Sequence, residues 1–226
     1  MNRYIKGLFV GAVAVFFIAA DEPRPMGLLG IDISAHQGRI EFSKLEVQDK
    51  HTGEWVKPHF IYIRASNGSS KQDNYFTYNW SESKTHNFKR GAYHFFQPRY
   101  SGADQARLFI STVGVDHGEL PPVLDIEWMP DYITPNTLRA ELHKWLNTVK
   151  TEYGTQPIIY TNASYYEDYL KGHFPGYKFW IAHYSATPRL DQHASFWQYS
   201  DRGLARGISE NLVDVNYALT EFFKSL

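Results

Sequence analysis

The chain has 226 residues, a formal net charge of -1 and no cysteine. This length buries one substantial core and suits a single closed barrel better than two separate halves. The near-neutral charge and the lack of a long basic run exclude a nucleic-acid footprint and strong attraction to anionic membranes. With no cysteine there are no disulfide staples, no acylated cysteine and no thiol chemistry, so the core alone must hold the fold.

Arg3 and Lys6 precede an apolar run from Gly7 to Ala20. That run is shorter than the roughly 20 residues a membrane span needs, so residues 1–20 read as an export signal and residues 21–226 as the mature domain. The mature protein is then expected outside the cytoplasm without stable membrane association; an uncleaved segment would act as an anchor. After a leader with two prolines, Gly27 to Ser34 reads as a buried strand with Asp32 near its carboxyl end. Phe42, Leu45 and Val47 have helix-compatible spacing over 42–50, closed off by Gly53 and Pro58. A second strand is expected at Phe60 to Ala65, a helix at Tyr75 to Phe88, a third strand at Gly91 to Phe96 and a helix at Asp104 to Val113. Val123 to Glu127 is the fourth strand.

Thr134-Pro135 is a helix start, a capping hydroxyl followed by proline at the first helical position, and Gly154 ends that helix. Gln156 to Thr161 is a fifth strand, followed by a short helix near Ser164 to Leu170. Lys178 to Tyr184, Phe196 to Ser200 and Leu212 to Tyr217 then read as strands joined by loops rich in Gly, Pro and Asp. Five strand–helix units followed by three strands make eight, the number that closes a barrel filled by its own side chains. The expected fold is therefore an α/β, TIM-like barrel with few helices in its last third.

Asp125 and Glu127 share one strand face, with Cα atoms roughly 6.6–7 Å apart at two strand rises. Repulsion and partial burial raise one pKa and leave the other group ionised, which suits a general acid beside a charged stabiliser. Asp32, Asp125 and Glu127 lie at strand carboxyl ends, where barrel chemistry takes place, and Asp214 lies in the last strand. Four carboxyls can therefore line one mouth. Aromatic residues make up 16 % of the chain, and such side chains stack on sugar faces as well as filling cores.

The segments Gly30-Ile-Asp-Ile-Ser34 with Gln37-Gly38, Gly91-Ala-Tyr-His-Phe95, Val123-Leu-Asp-Ile-Glu127, Ile159-Tyr-Thr161, Phe179-Trp-Ile-Ala-His-Tyr184, Phe196-Trp-Gln-Tyr199 and Val213-Asp-Val-Asn216 occur in this order. Together they resemble family 25 of the glycoside hydrolases, the Chalaropsis-type lysozymes, over nearly all of the mature chain. The resemblance implies an eight-stranded barrel that hydrolyses the β-1,4 bond between N-acetylmuramic acid and N-acetylglucosamine in peptidoglycan. It implies Glu127 as general acid with Asp125 assisting, Asp32 and Asp214 as the further active-site acids, and Tyr93, Tyr160, Trp180 and Trp197 along the sugar groove. Two departures stand out: Ala35-His36 occupies a place where His-Trp is common, and Arg64-Ala-Ser-Asn-Gly68 one where Lys-Ala-Thr-Glu-Gly is usual.

Both routes open to such an enzyme, attack by a second carboxylate or by the substrate's own 2-acetamido oxygen, retain configuration. The two-residue spacing favours the second, because Asp125 is badly placed to reach the opposite sugar face. The ten histidines form no His-Glu-x-x-His or His-x-His pattern and Gly-rich phosphate loops are absent, so neither a metal nor a cofactor is expected. His94 and His183 read as structural histidines. A family 18 chitinase-like enzyme is the nearest rival, although its Asp-Gly-x-Asp-x-Asp-x-Glu pattern is missing; a sugar-binding module without chemistry is the other. Glycan strands of the wall are the expected partner, met by a monomeric catalytic domain acting alone.

Overall fold

The computed structural model describes residues 27–185 and 193–219; the expected export signal lies outside them. In chain order the elements are β1 (Gly27–Ile33), β2 (Glu46–Gln48), β3 (Trp55–Val56), β4 (Phe60–Asn67), β5 (Lys71–Gln72), α1 (Phe76–Thr85), β6 (Lys89–Phe95) and α2 (Gly102–Val113). They continue with β7 (Val123–Asp125), α3 (Pro135–Tyr153), β8 (Ile158–Asn162), α4 (Ala163–Tyr165) running into a π-helical turn at Tyr166–Leu170, then β9 (Lys178–Ala182), β10 (Ala194–Arg206) and β11 (Leu212–Leu219).

Strands β1, β4, β6, β7, β8, β9 and β10 follow one another in parallel around a barrel. The eighth, β11, closes it by pairing antiparallel with both β10 and β1. The eight strands expected from the sequence are these eight. Because β11 runs against the others, its beginning rather than its end lies at the mouth, and Asp214 falls directly opposite Asp32 in the β1–β11 register.

The strand period of two sorts side chains between two cores. Phe60, Tyr62, Trp180 and Phe196 point inwards and pack ring on ring, with centroid separations of 5.0 to 6.2 Å. Glycines make room for them: a Cβ on Gly30 would lie 2.4 Å from the Phe60 ring, and one on Gly91 would lie 2.2 Å from Tyr62. The alternate residues, such as Ile31, Ile61, Ile63, Leu124 and Ile159, point outwards into the larger core beneath the helices. Helix α3 starts where the sequence indicates, with Thr134 Oγ1 accepting from Thr137 N and Pro135 in the first turn, and it stops at Gly154 in the left-handed region, φ 68°.

One expected helix is absent. Residues 42–50 form a single 3-10 turn at Phe42–Lys44 followed by β2, which pairs with β3 and with Ala205 and Arg206 of β10. Leu45 and Val47 are both buried while Glu46 and Gln48 are only partly so, a period of two that the short segment shares with a helical i, i+3 spacing from Phe42 to Leu45. Among the described residues the barrel therefore carries four helix-bearing crossovers, and the first crossover is a small hairpin.

His94 lies outside the barrel, between β6 and the helices. Its Nδ1 meets Ser66 Oγ at 2.9 Å, its Nε2 meets Gln105 Oε1 at 3.1 Å, and its ring stacks on Trp145. Gln105 Oε1 is an acceptor that also receives the Gln97 N–H, so His94 Nε2–H donates to it. Burial lowers its pKa to about 4. His183 likewise has a structural place, bonded through Nδ1 to Ser185 Oγ and through its carbonyl to Trp197 Nε1.

Candidate active site

At the mouth formed by the carboxyl ends of the parallel strands lies a cleft of about 220 Å³, and its lining includes Asp32, Asp125, Glu127 and Asp214. Each acid is there because of strand alternation. Asp32 follows Gly30 on the inner face of β1, Asp125 follows Val123 on β7, Glu127 stands two residues further on, and Asp214 opens the inner face of β11. All four sequence-predicted acids are thus brought together.

The acids divide into two pairs. Asp32 Oδ2 accepts from Asn216 Nδ2 at 2.8 Å and from Gln198 Nε2 at 3.0 Å. Burial raises its pKa, while these donors and Asp214 oppose the rise. Asp214 is pushed up to about 9, by burial first and then by the charge and hydrogen bond of Asp32. The pair therefore holds one proton, with Asp32 the carboxylate and Asp214 the acid, because only Asp32 has two fixed N–H donors.

In the second pair, burial pushes Asp125 well above the usual carboxylate range, helped by the charge of Glu127, its hydrogen bond with Glu127 and the charge of Asp32, and opposed by Arg64. Glu127 is also raised, by partial desolvation first and by Asp32, while its bond with Asp125 works the other way. Glu127 is an exposed residue on the rim, and its carboxyl is hydrogen-bonded to Asp125. Asp125 Oδ1 is buried and has no hydrogen-bond partner among the described residues. An unpaired buried oxygen of this kind is costly, and it is free to accept from a bound group.

Of the four sequence-predicted aromatics, Tyr93, Tyr160 and Trp180 line the cleft. Trp197 does not. Its neighbours Phe196 and Gln198 face inwards, so alternation turns Trp197 outwards, where it packs near Tyr199 and Tyr217 in the outer core. Sequence reasoning assigned no role to Gln198 and Asn216, although each stands two residues from an inward-facing partner, Phe196 and Asp214. Their amides are fixed in orientation: Gln198 Oε1 accepts from Tyr160 and Tyr184 hydroxyls at 2.8 and 2.7 Å, and Asn216 Oδ1 accepts from Trp180 Nε1 at 3.0 Å. The N–H groups of both amides are thereby aimed at Asp32. Ser34, His36, Arg64, Phe95 and Val123 complete the lining, and the sequence pattern gave none of them a catalytic or sugar-binding role.

A barrel whose mouth brings four carboxyls together in pairs has the groups that glycosidases working with two acids use. Residues 31–208 match the model of the glycosyl hydrolases family 25. The chain is 33 % identical over 200 residues to Lysozyme M1 of Streptomyces globisporus, covering 81 % of this chain and 65 % of that protein. It is 37 % identical over 203 residues to the Escherichia coli K12 protein YegX, covering 89 % and 73 %. Among solved structures, a bacterial lysozyme from Streptomyces coelicolor superposes with a TM-score of 0.72 at 32 % identity, covering 85 % of this chain and 92 % of that one. A family 25 glycosyl hydrolase from Bacillus anthracis gives the same TM-score at 27 % identity, covering 88 % and 92 %. The chain belongs to family 25 of the glycosyl hydrolases, and its barrel is that of the family's lysozymes. Among the described residues no helix is long and apolar enough to cross a membrane.

Proposed function

We propose that the protein is a retaining muramidase that cleaves the β-1,4 bond between N-acetylmuramic acid and N-acetylglucosamine, with Glu127 as general acid and Asp125 orienting the 2-acetamido group. The observation that supports this reading is the place of Asp125: it is buried beside Glu127, its pKa is pushed well above the usual carboxylate range, and its Oδ1 has no hydrogen-bond partner among the described residues. A protonated carboxyl is a poor nucleophile. It is well suited to donating to Glu127 with one oxygen while the other accepts an acetamido N–H.

The steps follow from that arrangement. Glu127 gives its proton to the glycosidic oxygen, and the acetamido carbonyl oxygen attacks C1 from the opposite face as the C1–O bond breaks. The new Glu127 carboxylate is stabilised by the hydrogen bond from Asp125. The oxazolinium intermediate is opened by water, which delivers its proton to Glu127, and the configuration at C1 is restored. The carboxylate of Asp32 offsets positive charge that develops on the sugar ring, and Asp214, with its raised pKa, adds no second full charge beside it. Export through residues 1–20 belongs to the same reading, because the substrate lies outside the cytoplasm.

The test is digestion of purified peptidoglycan, borohydride reduction and mass spectrometry of the new ends. Muramitol is expected, whereas glucosaminitol would overturn the bond assignment. Glu127→Gln should lower turnover by roughly 100-fold or more while keeping the fold and saccharide binding. A folded Glu127→Gln protein with near-normal lysis would remove Glu127 from the acid's role.

A further inference from the structure

Among the described residues, the acids of the cleft share its lining with one arginine, Arg64. Arg64 points inwards by the same alternation that places Phe60 and Tyr62 in the barrel, and it lines the cleft with the four carboxyls. Its side chain is held from behind: Nε donates to Asp73 Oδ2 at 2.9 Å, and Asp73 is itself fixed by Ala35 N on the same oxygen and Tyr75 N on the other. That bond uses one edge of the guanidinium. Neither Nη atom is bonded to the described residues and neither is sealed from solvent, so a two-pronged donor remains open.

Arg64 also lines a small adjoining cavity of about 30 Å³, together with Asn67 and Lys71. This is the segment where Arg and Asn stand in place of the Lys and Glu usual in the family pattern. Here the changes give a forked donor in place of a point charge and remove a carboxylate from its neighbourhood. Asp73 already receives three donors and Lys71 is exposed, so this side of the mouth presents positive charge to an incoming group.

Building on the muramidase reading, we propose that Arg64 binds a carboxylate carried by the muramyl side of the substrate and so sets the cleft's preference for muramyl strands. The two sugars of the polymer differ in the lactyl ether at O3, which ends in a carboxyl group. In strands stripped of peptide that carboxyl is free; in peptide-bearing strands it is amide-linked and the nearest carboxylates belong to the peptide. A planar guanidinium fork takes a carboxylate bidentately, and a mouth lined by acids needs such a cation to admit an anionic sugar.

The test uses two matched pairs of soluble strands: peptide-free strands against the same strands with the lactyl carboxyl capped as a methyl amide, and peptide-bearing strands against the same with the peptide carboxyls capped. The wild-type enzyme should prefer the uncapped member of at least one pair by about tenfold in kcat/KM, mainly through KM. The pair that shows the preference identifies the source of the carboxylate. Arg64→Gln should abolish the preference and Arg64→Lys should keep part of it, so Arg64→Lys carries the test if Arg64→Gln does not fold. Equal rates on both members of both pairs, or a preference that survives in both variants at full strength, would overturn the proposal. A uniform loss on all four substrates would do so as well, since it would mean that Arg64 acts only through Asp73. Failure of the wild-type enzyme to cleave any strand would strike the muramidase reading instead.

Discussion

Gln198 on β10 donates to Asp32 on β1 past the intervening β11, Nε2 to Oδ2 at 3.0 Å, and it cannot turn round because two tyrosine hydroxyls donate to its Oε1. Burial keeps both phenols neutral, so they remain donors throughout the working range of the enzyme. Asp32 is in this way held as the carboxylate of its pair. Changing Gln198 to Glu preserves the shape and the acceptor for the tyrosines but removes the N–H. The pKa of Asp32 should rise, and the acidic limb of the kcat/KM profile should move to higher pH. An unshifted profile in a folded Gln198→Glu protein would show that ionisation of Asp32 does not matter to turnover.

The Asp32–Asp214 pair also has a cost in stability. Asp214 has a pKa of about 9 in the folded protein against 3.8 for the free side chain. Between these values the unfolded chain has released a proton that the native protein still holds, so stability falls as pH rises through that window. Asp214→Asn removes this dependence and keeps a neutral donor near Asp32. The variant should be more stable at pH 7, by about 2–4 °C in Tm for each 1 kcal/mol gained, and less active. The gain should shrink as pH falls towards 4. Thermal melts across pH check this, and a pH-independent difference would contradict it.

His94 has the opposite sign. Its pKa is about 4 in the fold against 6.5 unfolded, so between these values the unfolded chain binds the extra proton and stability rises with pH. Its contribution is complete above about pH 6.5 and is lost as pH falls to 4. His94→Gln should therefore be less stable than wild type at neutral pH, with the difference shrinking as pH is lowered through that range. Chemical denaturation at pH 4.5 and 7 measures it; a difference that stays constant would mean that His94 stabilises by packing on Trp145 alone.

The strands of this barrel could be read from the sequence because each is an apolar run closed by Gly, Pro or Asp, and the acids could be read because they stand at the ends of those runs. The partners of the acids could not. Gln198 and Asn216 lie 166 and 184 residues from Asp32, a separation that no local pattern bridges, and they meet it only when β11 closes the barrel. Trp197 is the reverse case: a tryptophan in an aromatic stretch reads as part of a sugar groove, but its place between two inward-facing residues decides its direction. The segment at 42–50 is too short for periodicity to choose between helix and strand, and its pairing with β10 settled the matter.

In the proposed reaction Glu127 protonates the leaving oxygen while the substrate's acetamido group, held by Asp125, attacks from the other face. Proton NMR of the first-formed reducing end, recorded during cleavage of a soluble peptidoglycan oligosaccharide before mutarotation, tests it most directly. The β-anomer is the predicted first product, with no covalent sugar–enzyme ester found on Asp32, Asp125 or Asp214 by mass spectrometry. An α-anomer appearing first, or an ester on any of the three, would contradict it.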